Sequence, residues 1–243
     1  MTQSYLIVGA SSDIALELGS SLLEKGHTVT LFARDAERVE PLVSQGAHFI
    51  QGDALDKEAL LEAVETAKEN GNGKISGAAH LVGSLVLRPP HALDLDAFNE
   101  VLHTNLSSAF LTLSVVGKTM LRNGGGRMVF TSSVAATLGM INHEAIAAAK
   151  GGIESMVRSA AATYSQRNIR VNAVAPGLTE TRLAETLLRS DAIREAAVGK
   201  IPLKRINQRQ EIASSMEWLL CGAPDNFTGQ ILHLDGGMSQ ING

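Results

Sequence analysis

Tyr5-Leu6-Ile7-Val8-Gly9-Ala10-Ser11-Ser12-Asp13-Ile14-Ala15-Leu16 is a short apolar run, a turn of small residues, and the start of a helical pattern. Residues 5–8 are apolar and β-compatible. From there apolar side chains recur at Ile14, Leu18 and Leu22 and at Ala15, Leu16 and Leu23, the spacing of an amphipathic helix. A strand that turns directly into a helix opens a βαβ unit, and the rest of the chain repeats the unit.

Working outward, the pattern predicts strands over 28–33, 48–51, 78–82, 127–132, 170–175 and 230–234. Helices are expected over 36–45, 57–69, 95–121, 143–167 and 210–220, with Asn70-Gly71-Asn72-Gly73 and Asn123-Gly124-Gly125-Gly126 as stops. Strands alternating with helices of this length imply an α/β fold, a doubly wound parallel sheet with helices on both faces. No repeat, low-complexity tract or linker interrupts it, so residues 1–243 are expected to form a single domain. The stretch 179–208 has no strand signal and is the candidate for a mobile, substrate-covering lid.

Composition limits the function classes. With 44% hydrophobic and 19% charged residues over 243 positions, the chain can bury a core without staples. A net charge of −4 provides no basic field for nucleic acid or an anionic membrane. The single cysteine, Cys221, forms no internal disulfide and suits a reducing compartment. The N-terminus has no basic n-region, and no apolar run reaches membrane-spanning length. A soluble cytoplasmic protein with neither nucleic-acid nor membrane partners is expected.

In open α/β sheets, ligands bind beyond the carboxyl ends of the strands, where strand order reverses. The residues after each strand are therefore the candidate site. Gly9, Ser11, Ser12, Asp13 and Ile14 form a small-residue turn into a helix, which lets backbone N–H groups approach a pyrophosphate. The same residues also make an ordinary loop. Arg34 ends the second strand, where an acid would hold a ribose 2′-hydroxyl; arginine suits a 2′-phosphate, or is simply a solvated surface residue. Asp53 and Ala54 follow the third strand. Gly83 follows the fourth and permits a close approach to the backbone.

In this order and spacing the motifs resemble the short-chain dehydrogenase/reductase family over essentially the whole chain, and imply a Rossmann-type fold. Gly9…Asp13-Ile14-Ala15 is similar to its TGxxxGIG turn, with Asp13 and Ala15 replacing two glycines. His80-Leu81-Val82-Gly83 stands for its NNAG. Asp53 resembles the residue that binds the adenine amino group, Asn105 the active-site asparagine, and Val129–Ser133 the strand leading to the catalytic serine. Val171–Gly177, with Thr179 and Thr181, resembles the segment that clasps the nicotinamide carboxamide, making Pro176, Gly177, Thr179 and Thr181 cofactor contacts. Thr228–Gly237 resembles the C-terminal signature. The resemblance implies a nicotinamide cofactor, NADP(H) rather than NAD(H) by Arg34, and a homodimer or homotetramer. Asp13 is expected to cap its helix, and its charge opposes a pyrophosphate unless the side chain turns away.

In that family a serine, a tyrosine and a lysine act together. The tyrosine is the general acid, the serine bonds the same substrate oxygen, and the lysine tunes the tyrosine and holds the ribose. Here the serine is Ser133 and the lysine Lys150, while Asn105 would anchor a relay water. The tyrosine position, four residues before the lysine, is Ile146, which transfers no proton. His143 lies one turn further upstream on the same helix face. The segment 142–150 resembles the enoyl-reductase branch, whose tyrosine lies seven residues before the lysine, so His143 is the candidate acid. A helix N-terminus disfavours the imidazolium, and a neutral ring still donates through one N–H. A capping or solvent-facing histidine is the alternative.

The remaining histidines show no metal spacing, and no metal is expected. His80 reads as a tolerated loop-edge residue, Trp218 as core, and Cys221 as structural. Within 179–208, Leu183, Leu187, Leu188 and Ile193 suggest an apolar pocket lining. Two functions fit: an NADP(H)-preferring oxidoreductase acting on a small carbonyl, alcohol or enone, or a non-catalytic dinucleotide-binding scaffold or sensor that has lost its tyrosine.

Overall fold

The computed structural model describes residues 2–241. Strands β1 (Ser4–Val8), β2 (Thr28–Ala33), β3 (His48–Gln51), β4 (Gly77–His80), β5 (Gly126–Thr131), β6 (Ile169–Pro176) and β7 (Ile231–Leu234) form one sheet. They alternate with helices α1 (Asp13–Glu24), α2 (Ala36–Val43), α3 (Lys57–Asn70), α4 (Leu95–Leu102), α5 (Ser108–Arg122), α6 (Glu144–Tyr164), α7 (Asp191–Gly199) and α8 (Arg209–Glu217). The strand order is β3-β2-β1-β4-β5-β6-β7, with all neighbours parallel. The order reverses between β1 and β4, where Val8 is in register with His80.

Alternate residues of β1 face opposite layers, as a strand's two-residue period requires. Leu6 and Val8 pack with Leu60 and Val64 of α3, Val116 of α5 and Ile153 of α6. Tyr5 and Ile7 pack with Leu18 and Leu22 of α1, Val39 of α2, and Ile212 and Met216 of α8. Covering on both faces explains why β1 reads as a continuous apolar run. Burying each of these large side chains contributes roughly 1.5–3 kcal/mol.

Several sequence expectations change in detail. The helix expected over 95–121 is broken into α4 and α5 by a π-turn at His103–Ser107. The apolar period continues through the turn, so the extra residue left no mark in the pattern; such bulges are frequent at functional sites. The segment 143–167 becomes α6 followed by a 3-10 turn at Ser165–Arg167. Stretch 179–208 has its own order: a 3-10 turn at Arg182–Leu187, helix α7, and an isolated parallel bridge between Thr179 and Asn207 that ties its ends together. Trp218 is 41% exposed and stacks edge-on against Phe227, so it is not a core residue. Among the described residues no helix is long and apolar enough to cross a membrane.

Candidate active site

A cleft of about 700 Å³ opens at the carboxyl ends of the strands, across the β1/β4 reversal. It is of the size that holds a small-molecule ligand. All of the candidate catalytic and cofactor-binding residues read from the sequence lie on its wall.

The turn from β1 to α1 forms one end. Gly9 has φ +82°, and a Cβ there would lie 2.7 Å from the backbone nitrogen of Val82. A side chain is therefore excluded on both conformational and steric grounds. Ser12, not Asp13, is the N-cap: its Oγ accepts the N–H of Ala15 at 3.2 Å. The first N–H groups of α1, at Asp13 and Ile14, have no intrahelical acceptor and suit an anion. Asp13 is turned to other partners. Its Oδ1 accepts from Arg38 Nη2 at 2.6 Å, and its Oδ2 accepts the backbone N–H of Arg182 at 2.6 Å. Arg38 also donates to the carbonyl of Ser11 at 2.9 Å. The Asp13 charge is thus balanced by a guanidinium. Sequence reasoning missed Arg38, because nothing local marks a residue in α2 as a partner of the first turn.

At the ends of β2 and β3, Arg34 reaches Asp53 Oδ2 at only 3.4 Å, with a side chain 79% exposed. The other Asp53 oxygen accepts the Leu55 N–H at 2.9 Å. Ala54 is buried beside it. Arg34 is free to turn toward a ligand phosphate.

Between β4 and α6 lie Gly83, Asn105 and Lys150. A Cβ on Gly83 would lie 3.3 Å from Asn105 Oδ1 and 3.7 Å from Lys150 Nζ, so this glycine borders both groups. Asn105 sits in the π-turn and is fully buried. Its Nδ2 donates to Ser84 Oγ and to the Val101 carbonyl, each at 3.0 Å. Lys150 Nζ donates to the Thr131 carbonyl at 2.9 Å. Burial pushes its pKa down to about 8.

Ser133 lies two residues beyond β5 and caps a 3-10 turn at Val134–Ala136; its Oγ accepts the Ala135 N–H at 3.2 Å, leaving its O–H to donate. His143 is the N-cap of α6, but its side chain caps nothing. Its Nδ1 lies 2.7 Å from the Ile141 carbonyl. A carbonyl only accepts, so Nδ1 carries the proton and the neutral ring presents Nε2 as an acceptor. The neutral imidazole therefore has no N–H left to give, contrary to the expectation above. Ile146 is buried on the cleft wall between His143 and Lys150.

His80 is not a loop-edge residue but the buried end of β4. Its Nδ1 meets Thr112 Oγ1 at 2.9 Å and its Nε2 meets Ser108 Oγ at 3.2 Å. Ser108 spends its proton on the Thr104 carbonyl, so His80 Nε2 is the donor of that pair. Burial, and secondarily the Lys150 charge, lower its pKa to about 3.

The far wall holds Pro176 at the end of β6, then Gly177, Thr179 and Thr181. Gly177 donates to the Leu234 carbonyl at 2.8 Å, and Thr179 Oγ1 to the Gly177 carbonyl at 2.9 Å. Of the four expected apolar lid residues, Leu183 and Leu187 line the cleft, while Leu188 and Ile193 do not. Neither tyrosine of the chain reaches the cleft. Tyr5 is buried in β1 with its hydroxyl against Cys221 and Gln3, and Tyr164 closes α6 against Gly117. Among the described residues no group of three or more His, Cys, Asp or Glu is placed to hold a metal ion.

The family model described as enoyl-(acyl carrier protein) reductase matches residues 9–239. The chain is 32% identical over 244 residues to 2-(S)-hydroxypropyl-CoM dehydrogenase 3 of Xanthobacter autotrophicus, covering 97% of this chain and 96% of that protein. It is 29% identical over 238 residues to 3-oxoacyl-[acyl-carrier-protein] reductase MabA of Mycobacterium bovis, covering 98% and 93%. A solved short-chain type dehydrogenase/reductase from Mycobacterium ulcerans matches with a TM-score of 0.92 at 25% identity, covering 100% of this chain and 93% of that one.

Proposed function

The chain belongs to the short-chain dehydrogenase/reductase family, and we propose that it is an NADP(H)-preferring member acting on a small carbonyl, alcohol or enone-type substrate. It is an NAD(P)-dependent oxidoreductase. The observation that carries the finer reading is the convergence of Arg34, the open N-terminus of α1 and the Lys150–Asn105–Gly83 cluster along one cleft.

The residues fit a dinucleotide. Gly9 and the first N–H groups of α1 would take the pyrophosphate, with Asp13 kept off it by Arg38 and Arg182. Arg34 would take the 2′-phosphate. Asp53 and Ala54 would border the adenine, and Pro176, Gly177, Thr179 and Thr181 the carboxamide. Lys150 would hold the ribose. When bound, the nicotinamide supplies or accepts the hydride at its C4. Ser133 donates its O–H to the substrate oxygen, and Asn105 orders a water beside the lysine. The cleft wall offers two groups that exchange protons, His143 through Nε2 and Lys150 through Nζ. The segment 179–208 closes over the substrate with Leu183 and Leu187 as its apolar lining. The lone cysteine suits a cytoplasmic enzyme. Exposed Phe110 on α5 and the open face at Ala148 and Gly151 on α6 suit a homodimer or homotetramer.

Titration with NADPH and NADH, followed by nicotinamide fluorescence, tests this. NADPH is expected to bind more tightly, Lys150→Ala to weaken both, and Arg34→Leu to weaken NADPH alone by about tenfold, the worth of one charged hydrogen bond. Binding of neither nucleotide would overturn the reading. One observation favours a rival: the cleft lacks a tyrosine, as in a dinucleotide-binding scaffold. A scaffold predicts tight nucleotide binding with no turnover.

A further inference from the structure

The cleft has the surroundings of a proton-transfer site but no hydroxyl at the usual place. Ile146 and Lys150 are one helical turn apart on α6, and both are buried on the cleft wall. Isoleucine is shorter than tyrosine and presents only methyl and methylene groups. Nothing titratable therefore stands between the amine and a ligand on that side. An ammonium has three N–H donors. One is given to the Thr131 carbonyl, and the amine borders Gly83 in company with Asn105 Oδ1.

We infer that Lys150 is itself the acid–base group of this cleft, exchanging its proton directly with the substrate oxygen. The inference rests on the oxidoreductase reading above. In the reducing direction the carbonyl carbon gains hydride from the reduced nicotinamide nucleotide. The C=O π pair moves onto oxygen, the oxygen takes a proton from the Lys150 ammonium, and the amine is reprotonated from solvent. The substrate leaves as an alcohol and the nucleotide leaves oxidised. Ser133 orients the same oxygen.

The charged neighbours allow this. Among the described residues no carboxylate pairs with Lys150. His80 of β4 is buried and neutral, and Glu154, one turn along α6, is held by Ser132 Oγ at 2.9 Å. Asp96 and Glu100 of α4 and His103 of the π-turn are exposed. Arg127 of β5 and Arg170 of β6 bond to Asp225 at the opposite ends of their strands. An unpaired, desolvated amine loses its proton more readily than a surface lysine, which is what a general acid needs. His143 is the competitor. Its Nδ1 proton is engaged with Ile141, so its neutral ring is a base only.

Two measurements test the inference. Competitive labelling of the whole protein with acetic anhydride across the alkaline range, read by peptide mass spectrometry, gives the titration midpoint of Lys150 without any turnover. A midpoint near 8 is expected. One at about 10.4, that of a solvated lysine, would overturn the inference. The second is the pH profile of NADPH-dependent reduction of ethyl acetoacetate and diacetyl, with nucleotide binding checked for each variant. Wild type is expected to lose activity above the labelling midpoint. Lys150→Arg should still bind NADPH, lose that limb and fall by about 10²-fold or more, the usual worth of a general acid. His143→Gln should keep the limb. A limb that survives in Lys150→Arg and disappears in His143→Gln assigns the proton to His143 and overturns the inference. So does nucleotide-bound wild type that reduces neither probe. Failure to bind nucleotide at all overturns the oxidoreductase reading instead.

Discussion

Asp13 and Arg182, 169 residues apart in sequence, meet where the Asp13 Oδ2 accepts the Arg182 backbone N–H at 2.6 Å. The carboxylate that replaces a glycine of the dinucleotide turn thus holds the first residue of the 3-10 turn in the segment over the cleft. Its second oxygen holds Arg38 at 2.6 Å. One side chain links α1, α2 and the segment 179–208.

Asp13→Ala removes the anchor and leaves the Arg38 guanidinium without its carboxylate. A hydrogen bond to a charged group is worth about 1.5–3 kcal/mol, so the opened population should rise about tenfold or more. Limited trypsin digestion reads this directly. Cleavage at Arg182, Arg189 and Arg194 should quicken by that factor, while cleavage elsewhere is unchanged. An unaltered digestion pattern would show that the bond does not hold the segment.

His80 makes the fold sensitive to acid. Its pKa falls from 6.5 to about 3 on folding, chiefly through burial. Below pH 6.5 the unfolded chain binds a proton that the folded chain refuses. Stability conferred by the neutral ring is complete above 6.5 and is lost as pH drops toward 3, by about 1.4 kcal/mol per unit. Urea midpoints should therefore fall more steeply with acid in wild type than in His80→Asn. Parallel slopes would contradict the buried, neutral assignment.

The burial of Lys150 costs stability. Its pKa falls from 10.5 to about 8 on burial, a cost of about 3 kcal/mol below pH 8. The cost fades as pH rises from 8 to 10.5, because over that window only the unfolded chain still holds the proton. Losing the bond to the Thr131 carbonyl offsets about 1 kcal/mol. Lys150→Met should therefore be more stable than wild type at neutral pH by about 2 kcal/mol, with the gain vanishing in alkali. Thermal melts at several pH values check both the sign and the window.

Gly9→Ala should be severely destabilising. The new Cβ would lie 2.7 Å from backbone, at a φ of +82°. Left-handed backbone costs about 1–2 kcal/mol and overpacking about 1–3 more. Equilibrium unfolding should show a loss of at least about 2 kcal/mol, together with loss of nucleotide binding.

The fold was legible because both of its signals are local. Val8 and Gly9 mark the end of a strand by apolarity and conformational need, and the Ile14–Leu18–Leu22 spacing marks a helix. Repetition of that unit fixes a doubly wound sheet, since parallel strands need crossovers. The absence of a tyrosine four residues before Lys150 is likewise a fact of sequence alone. Tertiary structure decided what distance along the chain conceals. The π-turn that buries Asn105 is a backbone event without a composition signature. The Asp13–Arg182 and Asp13–Arg38 bonds join residues that no pattern relates. The Nδ1 contact that makes neutral His143 an acceptor depends on a single carbonyl at Ile141. The isolation of Lys150, with one backbone partner and no carboxylate among the described residues, depends on what five other elements keep away from it. Periodicity records which face of an element is buried; partners, protonation and desolvation are set only when the faces meet.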